Sequence, residues 1–319
     1  MRLLFYTPHQ EAGAWRDALA HALPDAELRE WQPGDTAAAD YALVWRAPRA
    51  LFAPRALFAP RERLRAIFNL GAGVDALLAL ERSHPGTLPP DVPLVRLEDS
   101  GMAQQMIEYV THAVLRYLRR FDEYDALQRE RRWEVLEPHP RARFTVAVLG
   151  LGVLGAQVAQ ALAALGLPVR GYSRSLKQLD GIATFAGEHA FDACIDGAKV
   201  LVNLLPSTPD TDAILSARTF ARLAPGAYLV NVARGAHLVE ADLLDALASG
   251  RIAAATLDVF EHEPLPADHP FWQAPRITIT PHSAALTLRD EAVEQIAGKI
   301  RALERGEPIG GIVDRARGY

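Results

Sequence analysis

Three runs in the second half of the chain each close an apolar stretch with side chains able to do chemistry. Leu229-Val230-Asn231-Val232-Ala233-Arg234-Gly235 places an arginine there. Leu257-Asp258-Val259-Phe260-Glu261-His262-Glu263-Pro264 places carboxylates, and Ile279-Thr280-Pro281-His282-Ser283-Ala284-Ala285 places a histidine among small residues. In an open parallel sheet, ligands bind outside the carboxyl ends of the strands. A planar guanidinium can grip a carboxylate and an adjacent carbonyl oxygen. A histidine with space around its ring can pass a proton, and Glu263 can hold that ring and stabilise its imidazolium. Taken alone, Arg234 fits a ligand clamp or a structural ion pair equally well. A single histidine is more often structural, and His21, His84 and His139 lie in polar or turn contexts that read as surface.

The elements that must position these groups are best marked at residues 144–174. Phe144-Thr145-Val146-Ala147-Val148-Leu149 reads as a strand, Gly150-Leu151-Gly152-Val153-Leu154-Gly155 as a glycine turn, the following Ala/Leu-rich run as a helix, and Val169-Arg170-Gly171-Tyr172 as the next strand. The 26 residues from Phe144 to Val169 carry no charge, a length that can cross a bilayer. Gln157, Gln160 and four glycines interrupt that run, and a buried parallel strand with a core-facing helix has the same composition. Gly150 permits the tight turn, Gly152 the approach of a pyrophosphate, and Gly155 close helix–strand packing, with the helix N-terminus facing the anion. Strand, glycine turn, helix and strand together are the context a dinucleotide fingerprint requires. Sites that prefer NAD carry an acid at the end of the second strand. Here Ser173-Arg174-Ser175 stands in its place. A carboxylate would repel a 2′-phosphate, whereas Arg174 and two hydroxyls can bind it, so NADP(H) is the preferred cofactor and NAD(H) a possible one. The other reading of Arg174 is a solvated surface residue.

A further turn, Asn69-Leu70-Gly71-Ala72-Gly73-Val74-Asp75, follows the apolar run Ala66–Phe68. Its small residues let backbone N–H groups converge on an anion, and they equally suit a plain strand-to-helix turn. Other strands are expected at Leu3–Tyr6, Tyr41–Trp45, Ala66–Asn69, Leu94–Leu97, Val200–Leu204, Ala227–Asn231, Ala254–Leu257 and Ile277–Thr280, alternating with helical patterns that include Met102–Phe121 and Leu286–Arg305. This alternation implies α/β architecture, with parallel sheets covered by helices. One strand set precedes the glycine turn and one follows it, so two sheets are expected. Pro48-Arg49-Ala50-Leu51-Phe52-Ala53 is repeated unchanged as residues 54–59. Two copies do not make a solenoid, and the repeat reads as a local duplication in a loop or helix start.

At 319 residues and 50% hydrophobic content the chain can bury two domain cores. A net charge of −5 leaves no basic footprint for nucleic acid. The one cysteine, Cys194, cannot form an internal disulfide; a buried packing role and a cytoplasmic setting are expected. The apolar run at Met1–Pro8 is too short for a signal peptide. No metal site and no membrane partner are expected.

In order and spacing, the glycine turn, N-V-A-R-G, L-D-V-F-x-x-E-P and P-H-S-A-A resemble the D-isomer-specific 2-hydroxyacid dehydrogenases over nearly the whole chain. Tyr41–Trp45, Gly71–Asp75, Arg96-Leu97-Glu98-Asp99, Ser173–Ser175 and the tail Val313–Tyr319 resemble a bacterial branch that reduces glyoxylate and hydroxypyruvate. The second hexapeptide copy departs from that pattern as an insertion after the Trp45 region. The resemblance implies two Rossmann/flavodoxin-like domains with an active site in the interdomain cleft, usually in a homodimer. Residues 1–101 with 285–319 would form the substrate-binding domain, and 102–284 the dinucleotide-binding domain. It implies His282 as acid/base, Glu263 as its partner, Arg234 as substrate clamp, Ala72 and Gly73 as amide donors to the substrate carboxylate, and Asp258 near the nicotinamide. Val153, Leu154, Leu205, Pro206 and Val232 join the expected cofactor contacts. Trp45 would cap the pocket and restrict it to short 2-oxo acids, its alternative being core packing. The implied reactions are glyoxylate to glycolate and hydroxypyruvate to D-glycerate. The alternatives are a dehydrogenase for a larger or phosphorylated 2-hydroxy acid, and a non-catalytic NAD(P)-sensing binding protein.

Overall fold

The computed structural model describes every residue except 9–11, 36 and 53–63, together with the side chain of Glu188. The chain divides into two units, Met1–Gly101 with Thr287–Tyr319, and Met102–Leu286.

The first unit holds five parallel strands: β1 (Arg2–Tyr6), β2 (Glu27–Glu30), β3 (Tyr41–Val44), β4 (Ala66–Asn69) and β5 (Leu94–Val95), in the order β2-β1-β3-β4-β5. Helices cover both faces, which is why β3 and β4 are buried at every position rather than at alternate ones. Leu4, Ala42, Val44, Ile67 and Leu94 pack on one face with Leu77 and Leu78 of a helix spanning Asp75–Ser83. Phe5, Leu43, Phe68 and Val95 pack on the other with Leu19 and with Ile296 and Ile300 of the helix Arg289–Glu304. The first hexapeptide copy begins a short helix, Arg49–Phe52, with Leu51 and Phe52 in the core. The second copy lies outside the described residues.

The second unit has seven parallel strands: β6 (Val146–Leu149), β7 (Val169–Ser173), β8 (Ala183–Ala186), β9 (Val200–Asn203), β10 (Ala227–Asn231), β11 (Ile252–Leu257) and β12 (Ile277–Ile279). Their order is β12-β11-β10-β9-β6-β7-β8. The chain steps outward from β6 in one direction and then, from β9, in the other. The carboxyl ends of β6 and β9 therefore flank a topological switch point, where a doubly wound sheet leaves a crevice. The residues named above on β6, β9, β10, β11 and β12 are carried to this one edge.

Sequence periodicity missed β2 and β8. Each is the outermost strand of its sheet and only partly buried. An edge strand pairs on one side only and needs no apolar run; Glu27-Leu28-Arg29-Glu30 is three-quarters charged. The helix expected over Met102–Phe121 stops at Leu118. Arg120 takes a left-handed backbone (φ 59°) and a second helix begins at Phe121. Cys194 is fully buried, and burial pushes its thiol up to about 12. It packs as a small hydrophobe, and the raised pKa disfavours the thiolate.

Candidate active site

The glycine turn is built by steric constraint. Gly150 has φ +96°, and a Cβ there would stand 2.6 Å from the carbonyl carbon of Leu204. A Cβ on Gly155 would overlap the carbonyl oxygen of Gly150, so the helix Val153–Ala164 can lie this close to β6 only with glycine at that position. At Gly152, the N-cap, a Cβ would meet nothing within 4 Å. The space over the helix N-terminus is thus open on the side where the N–H groups of Val153, Leu154 and Gly155 converge, which suits a pyrophosphate. Leu205, Pro206 and Val232 follow β9 and β10 on the same edge. At the end of β7, the Ser173 hydroxyl donates to the carbonyl of Ser175 (2.8 Å) and closes a tight turn that carries Arg174 into solvent. The residues present fit a dinucleotide, and the absence of an acid at this strand end fits its 2′-phosphate form.

Arg234 stands on a turn that a buried polar network holds. Asn203, Asn231 and His237 are all fully buried. The Asn203 amide donates to Asn231 Oδ1 (3.0 Å) and to His237 Nδ1 (2.9 Å), while Asn203 Oδ1 accepts from the Leu205 N–H. Asn231 Oδ1 also accepts from the Ala233 N–H, and its amide donates to the carbonyl of Arg234 (3.0 Å). Each buried donor left unmet would cost about 1–3 kcal/mol. The network therefore fixes the 231–237 turn and, with it, the root of the half-buried Arg234 side chain. Gly235 makes the next connection: a Cβ there would fall inside the Phe260–Glu261 peptide. The arginine turn and the turn that carries Glu263 touch backbone to backbone.

Glu263 accepts from the Phe260 N–H with Oε1 (3.1 Å) and pairs through Oε2 with His282 Nδ1 (2.8 Å). The His282 side chain is 41% exposed and that of Glu263 28%. With Nδ1 engaged, Nε2 is the ring nitrogen left to meet a ligand. His282 sits at φ 54°, a region that non-glycine residues seldom enter. The strain of order 1–2 kcal/mol is met by Asp258. Its buried carboxylate accepts from the Thr280 hydroxyl (2.6 Å), the Ser283 N–H (2.8 Å) and the Ala284 N–H (2.9 Å), and its carbonyl accepts from the His282 N–H (2.8 Å). Hydrogen bonds to a charged group contribute about 1.5–3 kcal/mol each, so three of them outweigh the strain. The single Thr280 proton goes to Asp258, so the Tyr109 phenol at 2.5 Å donates to Thr280. Burial pushes that phenol up to about 12, which keeps it a donor. Asp258, expected beside the nicotinamide, turns its carboxylate into the histidine loop and serves as that loop's anchor.

In the first unit, the Asn69 amide donates to the carbonyls of Gly71 (2.8 Å) and Gly73 (2.9 Å). In a planar trans peptide the N–H points opposite the carbonyl. Gripping these two carbonyls aims the N–H groups of Ala72 and Val74 away from Asn69, at the start of the helix Asp75–Ser83. Trp45, half-buried past the end of β3, lies on this loop; a Cβ on Gly71 would stand 2.8 Å from its Cη2. Among the described residues no group of three or more histidine, cysteine or acidic side chains could hold a metal. No described helix is long and apolar enough to cross a membrane.

Sequence reasoning missed Asn69, Asn203, Asn231, Thr280, Tyr109 and the packing role of Gly235. The three asparagines share a visible signal: each ends an otherwise apolar, fully buried strand.

Residues 111–284 match the family described as D-isomer specific 2-hydroxyacid dehydrogenase, NAD binding domain. Glyoxylate/hydroxypyruvate reductase A of Serratia proteamaculans is 56% identical over 319 residues, all of both chains, and that of Yersinia enterocolitica 52% identical over the same span. A D-isomer specific 2-hydroxyacid dehydrogenase from Xanthobacter autotrophicus, solved with NADPH and MES, superposes with a TM-score of 0.90 at 41% identity, covering 100% of this chain and 99% of that one. An NADPH-dependent glyoxylate/hydroxypyruvate reductase from Sinorhizobium meliloti, solved with NADP and sulfate, gives 0.89 at 36% identity over the same shares.

The backbone contact at Gly235 can be tested directly. Gly235→Ala should destabilise the protein by about 3 kcal/mol and lower kcat about a hundredfold through displacement of Arg234 and Glu263. Gly298→Ala, in a helix with open space around it, should leave both intact. Thermal unfolding and turnover of the two variants check this.

Proposed function

Because the chain belongs to the D-isomer specific 2-hydroxyacid dehydrogenases, we propose that it reduces short 2-oxo acids, glyoxylate to glycolate and hydroxypyruvate to D-glycerate, with NADPH preferred over NADH. The observation that carries this reading is the 2.8 Å pair between His282 Nδ1 and Glu263, on the same strand edge as Arg234 and the glycine turn. The names of the full-length relatives support the substrate class. The cofactors in the solved relatives' complexes support NADPH.

Bound NADPH supplies the hydride for the carbonyl carbon. Gly150, Gly152 and Gly155, with Val153, Leu154, Leu205, Pro206 and Val232, would hold its backbone and nicotinamide half; Ser173, Arg174 and Ser175 would take the 2′-phosphate. Arg234 binds the substrate carboxylate and polarises the carbonyl, stabilising the charge that develops on its oxygen. His282 gives that oxygen a proton from Nε2, and Glu263 orients the ring and stabilises the imidazolium. On the first unit, the loop around Ala72 and Gly73 offers backbone N–H groups suited to a carboxylate, and Trp45 lies against that loop.

We also propose a cytoplasmic homodimer. Trp133 is 101% exposed and Val135 86%, both on an extended run that Arg120 and Tyr124 tie back through Glu137 and Leu136. Large apolar side chains held in solvent are the usual mark of a surface covered by a partner.

Three outcomes test the reading. His282→Ala should lose about 10²–10⁴-fold in turnover of glyoxylate and hydroxypyruvate while binding NADPH as the wild type does; unchanged turnover removes the proton-donor role. Arg174→Asp should move the ratio of kcat/KM for NADPH over NADH toward NADH by about tenfold or more, read in steady-state kinetics. Trp133→Glu should yield a monomer by light scattering, and a monomeric wild type would end the dimer proposal.

A further inference from the structure

The amide loop of the first unit has an arginine at the end of each neighbouring strand. β4, which runs into Gly71–Gly73, lies between β3 and β5. Register sets Val44 beside Asn69 and Val95 beside Phe68. The chain past β3, Trp45-Arg46, and the residue past β5, Arg96, therefore leave the sheet on the edge where the loop lies. Arg96 falls beside Asn69, the residue that grips the loop. Arg46 takes a left-handed backbone (φ 45°), and its guanidinium carbon is 5.9 Å from the centroid of the Trp45 ring. That ring in turn covers Gly71. Guanidinium, indole and amide loop form one continuous set.

Among the described residues neither arginine has a carboxylate partner, whereas Lys299, which donates to the Arg96 carbonyl, pairs with Glu98. A monocarboxylate such as glyoxylate asks only for the amide loop on this unit. Arg46 is exposed, so its guanidinium is open to a second anionic group. A guanidinium fork matches a carboxylate in two parallel hydrogen bonds, and Trp45 keeps any such second group close to the first.

We propose that this edge admits short 2-oxo dicarboxylic acids, with Arg46 binding the carboxylate distal to the carbonyl and Arg96 adding positive potential beside the loop. Arg46 is then the residue that decides between mono- and dicarboxylate substrates. The inference rests on the 2-oxo acid reductase reading above. The bond changes are those of that reaction: the carbonyl carbon gains the hydride of NADPH, the oxygen gains the proton of His282, and the products are a 2-hydroxy dicarboxylate and NADP⁺.

The test uses the full chain with oxaloacetate, glyoxylate and D-malate. The wild type should oxidise NADPH with both oxo acids. Arg46→Met should raise the KM for oxaloacetate about tenfold or more relative to that for glyoxylate, with Arg46→Lys recovering part of the loss. Calorimetric titration of the cofactor-free protein with D-malate should show affinity falling by the same factor, a readout independent of turnover. Two results overturn the proposal: a wild type that reduces glyoxylate but not oxaloacetate, or an Arg46→Met variant with an unmoved ratio of kcat/KM between the two acids. A wild type that reduces neither acid overturns the reductase reading itself.

Discussion

The buried carboxylate of Asp258 is the constraint on which the proton-transfer end of the site depends. It stands at the end of β11 and draws in the hydroxyl of Thr280 and the N–H groups of Ser283 and Ala284. A buried carboxylate without such donors would cost several kcal/mol, so the loop must wrap around it. Wrapping forces His282 into its left-handed backbone and turns Nδ1 onto Glu263. The histidine is therefore placed by the Asp258 carboxylate, and Tyr109, on a helix outside the sheet, completes the chain of donors.

A second constraint is the buried amide. Asn69, Asn203 and Asn231 each end a strand and spend their side chains on the turn that follows. A strand supplies no side-chain partner for its own continuation, so an irregular turn needs hydrogen bonds from elsewhere to keep one shape. Amides at strand ends meet that need in both units. In one they aim backbone N–H groups outward; in the other they hold the root of an arginine.

Much of this was legible from residue types. The glycine turn announced itself because each glycine answers a separate steric demand, and strand ends bearing Arg234, Glu263 and His282 stood out because apolar runs preceded them. Two edge strands stayed hidden, since Glu27–Glu30 and Ala183–Ala186 need no apolar face. The role of Asp258 stayed hidden for another reason. A carboxylate after a strand does not show in sequence which loop it will hold, and here the partners Thr280, Ser283 and Ala284 come more than twenty residues on. Gly235 reads as a turn glycine in sequence; that it is the seam between two turns depends on where Phe260 comes to lie.

That seam has a consequence for how such a protein can change. The arginine turn and the turn bearing Glu263 meet through main chain at Gly235, and main chain offers no side chain to trim. A drift in one is passed to the other, so substitutions there arrive as paired gains and losses and are hard to accumulate one at a time. Trp45 and Arg46, by contrast, meet the loop through side chains, which can be exchanged singly. Diversification of this scaffold toward new acids has its open route at the end of β3, while the seam holds the chemistry constant.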